Sequence, residues 1–185
     1  TRNSSGTGAM STTKKEAHER TVFEEFARVA ELNPDAGSVT NESPPKPDIS
    51  CVIAGQRYLF ELARLVDSDI PASVAESLRR LKRGDKRPVG GAYSLTQPLI
   101  HRLREKTANN YDLDGAPVDL LLYYDNAVPT FELPPPGEFR EWAEAYMVPE
   151  IERNSGSFSR FWVFDRNEGR LLWRYDVSRG GSETM

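Results

Sequence analysis

From Asn41 to Asp67 the chain reads NESPPKPDISCVIAGQRYLFELARLVD, two short apolar strands joined by a tight turn. A Pro47-Asp48 step opens the first strand, Ala54-Gly55-Gln56 makes the turn, and Glu61-Leu62-Ala63 falls near the end of the second. Ile49, Cys51 and Ile53 alternate with Ser50, Val52 and Ala54. Tyr58, Phe60 and Leu62 alternate in the same way with Leu59, Glu61 and Ala63. Apolar residues of both parities describe strands covered on both faces, as in a central α/β sheet. The hairpin brings Asp48 and Glu61 towards the same end of that sheet. Two converging carboxylates, with no excess of basic neighbours, suit a hard divalent cation such as Mg²⁺.

Pro47-Asp48, the turn at Gly55 and Glu61-Leu62-Ala63 together resemble the motif of the PD-(D/E)XK nuclease superfamily, the fold of many restriction and repair endonucleases. The resemblance spans Glu16 to Tyr124 and includes a helix before the hairpin, then a helix and an apolar strand after it. It implies a restriction-endonuclease-like core, a central mixed β-sheet flanked by helices, here with an extra C-terminal helix and β-hairpin. It further implies a divalent-metal-dependent phosphodiesterase acting on DNA or RNA, with Asp48 and Glu61 holding Mg²⁺ or Mn²⁺. The first helix of the family often adds a further acid beside the metal. Glu24 and Glu25 lie on that helix here, where they also read as solvent-facing acids.

The chain departs from the pattern at Ala63, where the family has a Lys that holds or polarises the attacking water. Period two places Ala63 on the face of Glu61 and Arg64 on the other, so Arg64 needs a bulge or a strand end to reach in. Lys106, on the helix that follows, is the second candidate for this catalytic role. The missing Lys also suits an alternative, an inactive nuclease fold serving as a nucleic-acid-binding or protein-interaction module.

Composition bounds these readings. A chain of 185 residues, 28% charged and 38% apolar, suits one domain with a real core. No apolar run approaches the roughly 20 residues that span a bilayer, and no secretory segment is evident, so a cytoplasmic protein without membrane partners is expected. The single Cys51 excludes an internal disulfide and a Cys-rich zinc site. His18 and His101 are too few and too separated for a His-based one. A net charge of −4 argues against a general nucleic-acid coat. It leaves room for an acidic centre flanked by a basic strip, and Arg79, Arg80, Lys82, Arg83, Lys86 and Arg87 form one. That strip reads either as a solvated helix end or as a nucleic-acid phosphate contact. No Gly-rich phosphate loop and no Gly-x-Ser-x-Gly elbow occurs.

In chain order, residues 1–13 read as a flexible leader or expression remnant, with Met10 as a natural start. Residues 14–178 read as the domain and 179–185 as a flexible tail. Val22, Phe23, Phe26, Val29 and Ala30 predict a helix over Lys14 to Leu32. Ser38-Val39-Thr40 predicts a short strand, and Glu42 after it is an acid within reach of the hairpin. Asp69 to Leu81 reads as a helical insertion and Ser94 to Asn110 as a second core helix. Its inward face is Leu99, Ile100, Leu103 and Thr107. Lys106 sits at the edge of that face, placed either to reach the sheet end or to snorkel to solvent. Val118–Tyr124 predicts a buried strand parallel to that of Glu61. A Pro-rich connection over 126–137 leads to a third helix marked by Phe139, Trp142, Ala143 and Tyr146. Two late runs, Phe161–Phe164 and Leu171–Tyr175, predict a hairpin about Asn167-Glu168-Gly169. Their aromatics either cover the sheet, stack on unpaired bases, or anchor a protein partner or a second copy of the chain.

Overall fold

The computed structural model describes residues 7–65, 96–125 and 136–183. The basic strip over 79–87, the helical insertion over 69–81 and most of the Pro-rich connection lie outside the described residues.

A long helix comes first, α1 (Thr7–Val29), with Val22, Phe23, Phe26 and Ala27 buried along one stripe. It begins at Thr7, so the helix takes in residues 7–13. A helix held by a packed segment extends at little cost per added residue. Strands β1 (Thr40–Asn41), β2 (Ile49–Ile53) and β3 (Gln56–Leu65) then pair antiparallel in succession. Helix α2 (Thr96–Thr107) leads to β4 (Val118–Tyr124). Helices α3 (Pro136–Tyr146) and α4 (Val148–Arg153) lead to β5 (Phe158–Asp165), and β6 (Arg170–Asp176) and β7 (Gly181–Glu183) follow.

Among the described residues, seven strands form one mixed sheet in sequence order, flanked by helices. β3, β4 and β5 run parallel, and the remaining neighbours are antiparallel. Both parallel connections step the same way across the sheet. Crossovers of one hand stepping in one direction place their helices on one face. Accordingly α2, α3 and α4 share a face, and α1 covers the other.

The side chains divide by parity along each strand. Leu59, Ala63, Leu65, Leu120, Leu122, Phe161 and Val163 face α2–α4, packing with Leu99, Leu103, Phe139 and Ile151. Phe60, Leu62, Leu121, Tyr123, Trp162 and Phe164 face α1. There the Phe23 ring lies 4.8 Å from that of Phe60, and Phe26 meets Trp162 edge-on at 5.3 Å.

The late aromatics therefore belong to the core: Phe161, Trp162, Phe164, Trp173 and Tyr175 are all buried. Neither base stacking nor partner anchoring is open to them. Cys51 is buried as well, and desolvation pushes its thiol up to about 12, so it packs rather than reacts. Residues 181–183 pair with β6, whose outer backbone groups would otherwise be left as an open edge.

One acid lies deep in the α1 face. Asp119 is fully buried, with Arg160 Nε at 2.8 Å and Trp162 Nε1 donating to it at 2.9 Å. The Arg160 guanidinium also lies over the Tyr58 and Trp162 rings, at 5.3 and 5.6 Å.

Leu121 sits mid-strand beneath α1 with no exposed surface. Leu121→Ala should cost about 2–5 kcal/mol, read from urea denaturation as a lower midpoint at unchanged slope. A loss below about 0.5 kcal/mol, the range of surface substitutions, would contradict this packing.

Candidate functional site

The site grows from a mismatch in strand length. β3 has ten residues and β2 five, and their pairing ends at Ile49 opposite Phe60. The turn that sets this register, Ala54-Gly55, has φ of 51° and 79°, both left-handed as a two-residue type I′ hairpin requires. Beyond Phe60, among the described residues, this edge of β3 has no strand beside it. Asp48 fills the gap: its Oδ2 accepts the Leu62 N–H at 2.9 Å. That bond holds the carboxylate at the sheet edge beside Glu61.

Glu61 projects on the α2 face and is 6% exposed. Lys106 reaches it from α2, with Nζ 2.7 Å from Oε1. The sequence left open whether Lys106 snorkels outward; here it turns inward. The C-terminus of α2 is held close to the loop before β5. A Cβ on Gly156, whose φ is +60°, would stand 2.6 Å from the Thr107 carbonyl oxygen.

Helix α1 contributes from the opposite face. Lys15 Nζ lies 3.0 Å from Glu19 Oε1 and 3.6 Å from Asp48 Oδ1. Lys15, Glu19, Asp48, Ala63, Arg64 and Lys106 line one pocket of about 310 Å³.

Two carboxyls here, Glu61 and Glu19, disfavour their own charge. Burial raises the Glu61 pKa, and the Asp48 charge raises it further, against Lys106 and the Tyr111 hydroxyl. Burial likewise raises Glu19, again with Asp48 adding to it and Lys15 opposing. Carboxyls that repel one another hold either protons or added cations.

Among the described residues, no group of three or more His, Cys, Asp or Glu side chains is placed to hold a metal by itself. Two carboxylates, Asp48 and Glu61, stand close enough to act on one another, and Asp48 acts on Glu19 in the same way. Mg²⁺ fits such a pair, since it takes one or two carboxylates and completes its octahedron with water and phosphate oxygens.

Of the residues singled out from the sequence, Asp48, Glu61 and Lys106 come together here. Arg64 lines the same pocket but projects on the other face of β3, where its Nη2 donates to the Asp125 carbonyl at 2.8 Å. Glu24 and Glu25 do not reach the site: Glu24 pairs with Arg20 and Glu25 with Arg166. The acid that α1 supplies is Glu19. Its signal was the spacing, because Glu19 stands three and four residues before Val22 and Phe23 and so shares their buried stripe. Glu42 is engaged elsewhere, its Oε1 accepting from Ser50 at 2.7 Å and Arg57 at 2.8 Å. Arg79, Arg80, Lys82, Arg83, Lys86 and Arg87 lie outside the described residues.

No family model, curated protein or solved structure matches this chain.

The electrostatics of Glu19 give a test on the metal-free protein. Its folded pKa is raised above the ordinary 4.5. The stability it contributes is complete below that value and is lost as pH rises through the folded pKa. Glu19→Gln should therefore melt higher than the parent at neutral pH, with the difference shrinking as pH falls towards 4.5. Carboxylates held low by arginines, such as Glu150 at about 2, act in the opposite sense in both proteins and cancel in the comparison. A variant that melts lower than the parent at neutral pH would show that Glu19 is not under like-charge strain.

Proposed function

We propose that this chain is a divalent-metal-dependent phosphodiesterase of the restriction-endonuclease-like class, cleaving DNA or RNA. The contact between Lys106 Nζ and Glu61 Oε1, at 2.7 Å, carries this reading. An ammonium from α2 stands beside the second motif carboxylate, where the family pattern brings a Lys from the strand. Ala63 holds that strand position, is buried, and lines the same pocket. Its small side chain is compatible with a lysine arriving from the helix instead.

Asp48 and Glu61 would hold Mg²⁺ or Mn²⁺, with Glu19 facing them from α1. Such an ion, when bound, supplies charge at the phosphate and acidifies water. The Leu62 N–H orients Asp48 by one oxygen, leaving Oδ1 towards the pocket. Lys106 positions water against phosphorus and offsets the charge that grows on the phosphate oxygens. The water oxygen bonds to phosphorus, the ester P–O bond breaks, and the leaving alkoxide takes up a proton. The basic strip at Arg79, Arg80, Lys82, Arg83, Lys86 and Arg87 would add phosphate contacts along the substrate.

The alternative of an inactive fold rested on the missing Lys, and Lys106 offers an ammonium in its stead. The protein-interaction reading rested on exposed late aromatics, which are buried.

Cleavage of single- and double-stranded DNA and RNA oligonucleotides in Mg²⁺ or Mn²⁺ tests the proposal. Lys106→Ala should slow cleavage about 10²–10³-fold, the usual loss for one charge-stabilising donor. Asp48→Asn should abolish it. Ala63→Lys added to Lys106→Ala should restore much of the rate, because both positions deliver an ammonium to one pocket. Absence of metal-dependent cleavage by the unmutated chain on every substrate would sink the reading.

A further inference from the structure

We infer that Lys15 is a resident cation of this site, one that a divalent ion must displace, so that it sets how tightly metal is held. The inference rests on the metal-dependent reading above and concerns the regulation of that same site.

Two lysines reach the carboxylate cluster, and their surroundings differ. The Lys106 side chain is 18% exposed and committed to Glu61. The Lys15 side chain is 68% exposed and bridges Glu19 and Asp48, which belong to different elements. Withdrawing Lys106 would strand a buried carboxylate, which is costly. Withdrawing Lys15 returns an already exposed ammonium to water, and an arriving divalent ion takes over the charge of Glu19 and Asp48. One lysine is therefore fixed and the other removable.

The two cations also need the same oxygen. Asp48 Oδ2 is taken by the Leu62 N–H, which leaves Oδ1 for any cation approaching from the pocket. Lys15 Nζ already lies 3.6 Å from Oδ1. A unit charge a few ångströms away repels an incoming dication, and at a partly solvated site that repulsion is substantial. Lys15 Nζ stands 3.0 Å from Glu19 Oε1 and 3.6 Å from Asp48 Oδ1, so its charge offsets both carboxylates at once. The lysine thus partly does for these carboxylates what a metal would do more strongly. It keeps the metal-free protein stable and makes its metal affinity lower than the carboxylates alone would give.

Calorimetric titration of Mn²⁺ into the full chain, without nucleic acid and at fixed ionic strength and neutral pH, reads this directly. Lys15→Met should bind Mn²⁺ on the order of tenfold more tightly than the parent. Lys15→Arg, which keeps the charge, should stay near the parent value. Lys14→Met serves as the control, since Lys14 is an exposed neighbour on the same helix and does not line the pocket. It should leave the affinity unchanged. An unchanged Kd in Lys15→Met overturns the inference while leaving the metal site standing. Equal tightening by Lys14→Met overturns it too, by reducing the effect to net charge. Absence of Mn²⁺ binding by both the parent and Lys15→Met at millimolar concentration removes the metal reading itself, and the inference with it.

Discussion

The candidate site depends on a single backbone group, the Leu62 N–H, that outruns its strand partner. β3 is twice as long as β2, so its edge continues past its partner, where no other described strand pairs with it. A buried donor left without an acceptor costs on the order of 1–3 kcal/mol. Asp48 removes that cost with a charge-assisted bond, and in doing so becomes fixed beside Glu61. The open stretch of β3 edge and the carboxylate that fills it thus arise from the same mismatch.

What surrounds that edge follows from sheet topology. The parallel crossovers send α2 to one face and leave the other to α1. The edge of β3 is where both faces can be reached at once, so Lys106 arrives from one side and Glu19 and Lys15 from the other. Asp119 makes a useful contrast. It is more deeply buried than Asp48, yet Arg160 and Trp162 satisfy it within the core. A closed acid of that kind holds the α1 face together. Asp48 and Glu61 meet cations drawn from separate elements, Lys15 on α1 and Lys106 on α2.

Much of this was legible in the chain. Pro47-Asp48, the glycine turn and the two-parity apolar runs mark a hairpin whose ends carry acids. Val118–Tyr124, seven residues buried along their whole length, could only be an interior strand of the sheet. The hairpin about Asn167-Glu168-Gly169 formed where turn chemistry placed it. Other features were harder to read. Glu24 and Glu25 stood out as an acidic pair, but a pair of charges says less than the position of one charge on an apolar stripe. Glu19 was the residue on that stripe. The last residues lacked a strand pattern, yet β6 had an open edge to offer and drew 181–183 into the sheet.

Local pattern determined the elements and placed Asp48 and Glu61 at the hairpin's end, because period, turn residues and strand length act between neighbours along the chain. It also placed Lys106 at the margin of an amphipathic face. Which way that side chain turned was a different kind of question. A lysine at a helix edge gains from solvation outward or from a carboxylate inward, and the balance depends on whether Glu61 is buried within reach. That is set by the β3–β4 pairing and by how closely the end of α2 packs against Gly156, contacts separated by tens of residues. Only the tertiary structure could bring Lys106, Glu61, Asp48 and Glu19 to one edge, because their charges act through space and not along the sequence.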